Sequence, residues 1–249
     1  MNADLKLQLA EKLCDQRLFN PKGVWGTPGR LAFYLDYLFQ GIDLEGKRVL
    51  DIGAGVGQFS LYMALSGAKS VTSLEPELEG GSATMVEKFN HLIQEFNLSN
   101  VSVNKAIFQE FDPKGEEFDL ILCHNSINHL NEECSTDLHE NPASYEVYSG
   151  LFKQFKSMSS DHSGLLLTDC ARSNFFGDIG LRSPFCPTIG FNVHQNPRLW
   201  ARLASEAGYK APQISWSPIT HLGKLGQVLF SNKLAAYMTM SHFKLFAEL

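Results

Sequence analysis

The alternation of short apolar runs with helix-periodic stretches predicts an α/β fold. A seven-stranded, mostly parallel sheet with helices on both faces is expected, with an N-terminal helical extension and a substrate cap made of loops. Three observations predict it. Val49-Leu50-Asp51-Ile52 is an apolar, β-branched run that ends in the glycine turn Gly53-Ala54-Gly55-Val56-Gly57, followed by amphipathic helical spacing. A second apolar strand over 69–75 closes on the acidic Glu75. From there to the C-terminus, strand-like and helix-like segments keep alternating.

In chain order, residues 3–18 place Leu5, Leu9 and Leu13 at i, i+4 spacing with Ala10, Cys14 and Leu18 beside them, an amphipathic helix that packs or forms a lid. Residues 20–29 are dense in turn formers. Trp25 within them reads either as an aromatic plug on the core or as a wall of the substrate pocket. Helical pattern resumes over 30–40 with Leu31, Tyr34, Leu35 and Leu38. Strand 47–53 and helix 57–67 come next, then strand 69–75 and a helix over 81–96 with Met85, Phe89, Leu92, Ile93 and Phe96 on one side. The third and fourth strands are 101–106 and 117–123. Residues 131–144, acidic and polar, are expected to form part of a mobile entrance, and a helix over 145–159 buries Tyr148, Leu151, Phe152 and Phe155.

The fifth strand, 164–168, is closed by Asp169, and a long connection over 171–195 carries Phe175, Phe176, Phe185, Phe191 and His194. Four phenylalanines argue against disorder there. The connection is read as a cap over the acceptor substrate, the other reading being rings that seal a loop onto the core. A helix over 197–207, a strand over 213–216, a helical stretch over 223–238 and a final strand over 242–248 complete the chain. Residues 1–46 form the helical extension or lid and 47–249 the ligand-binding domain, within one globular unit.

The length of 249 residues and a hydrophobic content of 44% suit one α/β domain with a sizeable core. Net charge is −6 and no Lys/Arg cluster is present to track a phosphate backbone, so nucleic acid is not expected as a partner. The five cysteines lack Cys-x-x-Cys spacing and are odd in number, which fits reduced thiols. With no apolar leader and no run of roughly 18 apolar residues, a soluble cytoplasmic protein without membrane contact is expected.

Glycines at 53, 55 and 57 lack a Cβ and let a ligand lie against the main chain. A carboxylate at Glu75 can accept from both hydroxyls of a ribose, so the ligand is expected to be a nucleoside. The dinucleotide fingerprint requires a glycine where Gln58 stands, and no Lys or Arg lies between 49 and 67 to meet a pyrophosphate. Asp51-x-Gly53-x-Gly55-x-Gly57 instead resembles motif I of the class I S-adenosylmethionine-dependent methyltransferases, and Glu75 matches that family's ribose-binding acid. Phe118-Asp119-x-Ile121 followed, after seven intervening residues, by His129-Leu130 looks like the family's motif around its fourth strand.

The resemblance implies S-adenosylmethionine as cofactor, S-adenosylhomocysteine as product and a last strand antiparallel to the rest. Carried over to this chain, the cofactor contacts are Asp51, Gly53, Ala54, Gly55, Gln58, Glu75, Pro76, Phe108, His124 and Asn125. The sequence departs from the family after its third strand, where many members place an Asp and this chain has Ile107. Phe108 then stacks on the adenine or is simply core, and Gln109 or a backbone carbonyl takes the amino group.

In an open parallel sheet, ligands lie outside the carboxyl ends of the strands, which brings His124, Asn125, Asn128 and His129 to the reactive end. His129 is the expected general base with His124 behind it, against the reading that His129 only orders its own loop. Trp25, Asn128, Asp169, Phe176 and Phe191 are the expected acceptor contacts. Asp169 alone offers a hard carboxylate, so no metal is expected. The expected activity is methyl transfer to oxygen or nitrogen of a small-molecule acceptor. The alternatives are a module of this fold that binds a cofactor or partner without catalysis, and an NAD-dependent oxidoreductase. Gln58 and the absence of a Tyr-x-x-x-Lys pair speak against the last.

Overall fold

The computed structural model describes residues 3–15, 26–77 and 84–249. Seven strands run in the order β3-β2-β1-β4-β5-β7-β6 within a mixed sheet, and the chain divides into two compact units, Met1–Glu110 and Phe111–Leu249.

The first unit contains α1 (Ala3–Leu13), α2 (Pro28–Leu38), β1 (Arg48–Ile52), α3 (Gln58–Leu65), β2 (Ser70–Leu74), α4 (Met85–Glu95) and β3 (Val101–Asn104). β1 pairs in parallel with β2, and β2 with β3. Val49, Leu50 and Ile52 are all buried, as expected of a parallel strand covered on both faces. The sequence boundary at residue 46 falls inside this unit. Tyr34 of α2 lies 6.4 Å from Phe59 of α3, and Phe39 stacks on Tyr62 at 5.0 Å. Lys12 of α1 pairs with Glu95 of α4. These contacts pack the extension onto the first unit's own helices. The end of the expected 3–18 helix, the 20–25 turn segment and the start of the 81–96 helix lie outside the described residues; α1 closes at Leu13.

The second unit contains β4 (Phe118–His124), α5 (Glu132–Asp137), α6 (Pro142–Ser157), β5 (Ser159–Cys170), α7 (Phe175–Asp178), α8 (Pro197–Ala207), β6 (Lys210–Trp216), α9 (Gly223–Phe230), α10 (Lys233–Met238) and β7 (His242–Glu248). β4 and β5 are parallel, and β7 runs antiparallel to both β5 and β6. Trp200 of α8 is fully buried, stacked on Phe152 at 6.2 Å and tilted against Tyr148 at 5.1 Å, which fixes α8 on α6.

Three segments differ from expectation. Residues 131–144, expected as part of a mobile entrance, carry the short helix α5: Asn131 caps it by accepting from the Cys134 N–H at 3.0 Å, and Asp137 accepts from Ser144 at 2.5 Å and Asn141 at 2.7 Å. Asn141 in turn caps α6, with Pro142 in the first turn, so residues that read as loop formers are helix starts. The stretch 223–238 is two helices, broken where the Asn232 side chain accepts from the Ala235 N–H at 3.0 Å. The 171–195 connection contains the short α7 and a 3-10 turn, Phe191–Val193.

Candidate active site

In the first unit, the turn after β1 takes the left-handed backbone that only glycine accepts readily: φ is 71° at Gly53, 57° at Gly55 and 81° at Gly57. The Gly53 and Ala54 N–H groups donate to the Leu74 carbonyl at 2.9 and 3.0 Å, which ties the loop to the end of β2. The three glycines do different work. A Cβ on Gly57 would lie 2.1 Å from the ring of Phe89, so this glycine allows α4 to approach. A Cβ on Gly55 would meet nothing within 4 Å, so Gly55 opens onto free space.

The two acids are also distinct. Glu75, buried at the end of β2, accepts from the Gly55 N–H at 2.7 Å and from the Glu77 N–H at 3.3 Å. Asp51 lies beneath the loop and accepts from the Ser60 hydroxyl at 2.5 Å, and Ser60 also bonds Ser73 at 2.8 Å. Burial pushes the Asp51 carboxyl up to about 7; the Ser60 bond opposes this and the Glu75 charge adds to it. Its Oδ1 is sealed and unpartnered. Asp51 therefore braces β1, α3 and β2 from below, while Glu75 and Gly55 form the cradle above. Gln58 opens α3, Ala54 is buried in the turn and Pro76 is half-buried after Glu75. Phe108 is 2% exposed, which favours its reading as core over a ring that stacks on adenine.

In the second unit, two polar systems meet the end of β5. Asn125, at φ 51°, donates its N–H to the Thr168 carbonyl at 2.9 Å, and its Oδ1 accepts from Thr168 at 3.3 Å. His242 Nε2 donates to the same oxygen at 2.7 Å, and the Ser217 hydroxyl donates to His242 Nδ1 at 2.6 Å. These roles follow from the neutral ring: burial, then the charge of His194, lowers His242 to about 4. Burial, then the His242 ring 6.0 Å away, holds His124 well below the usual histidine range. His124 is thus a buried neutral ring.

The second system is a dyad. His194 Nδ1 lies 2.9 Å from Asp169 Oδ1, which also accepts from the Cys170 N–H at 2.8 Å. Asp169 Oδ2 is buried with no partner. The loop that carries His194 is held by Arg172, which donates to the Thr136 and Asn192 carbonyls at 2.9 and 2.6 Å, and by Gln195, which donates to the Ser135 carbonyl at 2.5 Å.

The other acceptor-side candidates are dispersed. The side chain of His129 is 59% exposed and pairs with Glu132 at 2.5 Å, the geometry of a surface histidine that orders its own turn. Asn128 is buried beside it, under carbonyls that accept from the Tyr148 hydroxyl. Phe191 packs with Cys170, Cys186 and Ile189 and so serves as a seal. Phe176 is half-buried among Phe175 and Phe185. Trp25 lies outside the described residues. His194 is the residue that sequence reasoning left without a role; the signal available was a histidine in an aromatic loop following a strand that ends in a buried Asp. Among the described residues no group of three or more His, Cys, Asp or Glu is placed to hold a metal ion.

A sheet of this strand order, with a glycine loop after β1 and an acid after β2, defines the class I S-adenosylmethionine-dependent methyltransferase fold. A family profile described as a methyltransferase domain matches residues 27–227, and the chain belongs to that family, whose cofactor is S-adenosylmethionine. Ribosomal protein L11 methyltransferase of Prochlorococcus marinus (strain AS9601) is 30% identical over 122 residues, 47% of this chain and 39% of that protein. Ubiquinone biosynthesis O-methyltransferase of Aromatoleum aromaticum is 35% identical over 104 residues, 41% of each chain. The chain thus spans less than half the length of these curated relatives. Among solved structures, an S-adenosylmethionine-dependent methyltransferase from Mesorhizobium loti superposes with TM-score 0.60 at 13% identity, covering 88% of this chain and 98% of that one. One from Aquifex aeolicus gives 0.53 at 16% identity with 97% of both chains covered. These structures share the fold.

Proposed function

We propose that the protein transfers a methyl group from S-adenosylmethionine to an oxygen or nitrogen of a small-molecule acceptor, with His194 as the base and Asp169 as the residue that orients it. The observation that carries this reading is the His194–Asp169 hydrogen bond of 2.9 Å. When bound, S-adenosylmethionine supplies an activated methyl group on a sulfonium.

On the cofactor side, Gly55 gives free approach to the backbone, and Glu75 offers a buried carboxylate to the ribose hydroxyls. On the acceptor side, His194 Nδ1–H donates to Asp169, which leaves Nε2 as the lone-pair nitrogen that removes a hydroxyl or ammonium proton. The buried carboxylate then stabilises the imidazolium that forms. His124 and His242, both held neutral by burial, suit acceptor contact or loop support better than proton removal.

A small acceptor is favoured because the dyad is enclosed: the His194 side chain is 12% exposed and that of Asp169 1%. Enclosure also excludes water from the transfer. The test is incubation with S-adenosylmethionine carrying a labelled methyl group and a panel of phenols, carboxylic acids and amines. Label in an acceptor supports the reading. S-adenosylhomocysteine binding without label in any acceptor, including protein substrates, would instead indicate a module that binds without catalysis.

A further inference from the structure

We propose that the α9–α10 face of the second unit docks onto an anionic lipid bilayer. α9 is turned inside out: Leu225, Val228 and Leu229 share one side at helical spacing and are exposed, Val228 at 80%. The residue facing inward is Gly226, whose added Cβ would lie 2.2 Å from the Ile219 carbonyl, so the helix rests on its glycine. α10 repeats the inversion. Leu234 at 71% and Met238 at 40% point out, while Ala236 is buried. The segment after α7 adjoins the patch, since Asp178 Oδ2 accepts from the Tyr237 hydroxyl of α10 at 3.0 Å, and it exposes Leu181 and Phe185. Single exposed leucines need no explanation, but two successive helices with outward apolar sides do.

Charge selects the occupant. No Asp or Glu occurs between Glu206 and Glu248, in a chain of net charge −6. Lys224 and Lys233 stand exposed on the two helices and Arg182 on the adjoining segment. None of the three has a carboxylate partner among the described residues, and Asp178 is engaged by Tyr237. A cleft beside α10 adds Arg198 to Lys233, with Trp216 and Tyr237 as walls, a seat for a headgroup phosphate. A second copy of the same face would bring like charges together. An anionic bilayer satisfies both features: apolar side chains reach the acyl boundary and the cations meet phosphates. Such contact is peripheral. It is compatible with the finding that no helix among the described residues is long and apolar enough to cross a membrane. The sequence expectation of no membrane contact rested on the lack of a spanning segment, a different feature.

The full chain should sediment with vesicles of phosphatidylcholine containing phosphatidylglycerol at low salt, be released by added salt, and stay in solution with phosphatidylcholine alone. The double variant Val228→Glu/Leu234→Glu should lose at least about tenfold in vesicle affinity, as should Lys224→Glu/Lys233→Glu, both with unchanged S-adenosylhomocysteine affinity. No sedimentation with anionic vesicles, equal binding to neutral ones, or undiminished binding by the double variants overturns the proposal. So does a dimer that Val228→Glu dissociates in the absence of vesicle binding, which would assign the face to a second copy.

Discussion

His194 and Asp169, 25 residues apart in the chain, are joined Nδ1 to Oδ1 at 2.9 Å, and Arg172 and Gln195 fix the loop that makes the pairing possible. Two anchors on backbone carbonyls leave the imidazole little freedom, which is the condition for a positioned base.

Removing the proposed base should separate chemistry from cofactor binding. His194→Gln is expected to lower turnover by about 10²- to 10⁴-fold with S-adenosylhomocysteine affinity unchanged, and Asp169→Asn to lower it as well, in single-turnover assays once an acceptor is found. His129→Ala, at an exposed position where the ring pairs with Glu132 and lies 3.5 Å from the Asn128 side-chain amide, should stay within a few fold of the parent. Turnover that falls with His129 and survives without His194 would reverse the assignment.

The loop glycines should respond in opposite ways. Gly57→Ala forces a Cβ to within 2.1 Å of Phe89 in a left-handed backbone, and should cost roughly 3 kcal/mol or more of unfolding free energy in denaturant titrations. Gly55→Ala carries only the backbone strain, about 1 kcal/mol, yet should weaken S-adenosylhomocysteine binding at least about tenfold by filling the space where the ligand lies.

Glu75→Gln keeps an oxygen for the Gly55 N–H and removes the charge offered to the ribose. Calorimetric affinity for S-adenosylhomocysteine should fall about 10- to 100-fold without a matching drop in melting temperature.

Acid should destabilise the second unit through His242. Its folded pKa of about 4 lies below the unfolded value of 6.5, so the unfolded chain takes up the proton first. The contribution is fully present above pH 6.5 and is lost as pH falls towards 4, on the order of 3 kcal/mol in all. His242→Gln should flatten that part of the stability profile measured by urea unfolding. An unchanged slope would mean that His242 titrates normally.

The sheet was legible because parallel strands buried on both faces read as unbroken apolar runs, as in Leu120-Ile121-Leu122-Cys123 and Leu165-Leu166-Leu167. The glycine loop and Glu75 were legible because a turn with positive φ demands glycine and the acid closes its strand. α5 was not legible: Glu132-Glu133 and the two flanking asparagines look like loop until Asn131 and Asn141 are seen to cap helices. His129 attracts the expectation of a base because His-Leu after the fourth strand carries a pattern, whereas the base proposed from the geometry, His194, carries none. His194 sits in an aperiodic loop, brought to Asp169 only by long-range bonds from Arg172 and Gln195. Phe108 and Phe191 show the same limit, since periodicity marks a ring as apolar without saying whether a ligand or the core receives it.

The most direct measurement is calorimetric titration of the purified protein with S-adenosylmethionine, S-adenosylhomocysteine and NAD⁺. Saturable binding of the two sulfur ligands with none of NAD⁺, weakened in Gly55→Ala and Glu75→Gln, is the expected result. A folded sample that binds neither sulfur ligand would contradict the assignment of the Gly53–Gly57 loop and Glu75 as the cofactor site.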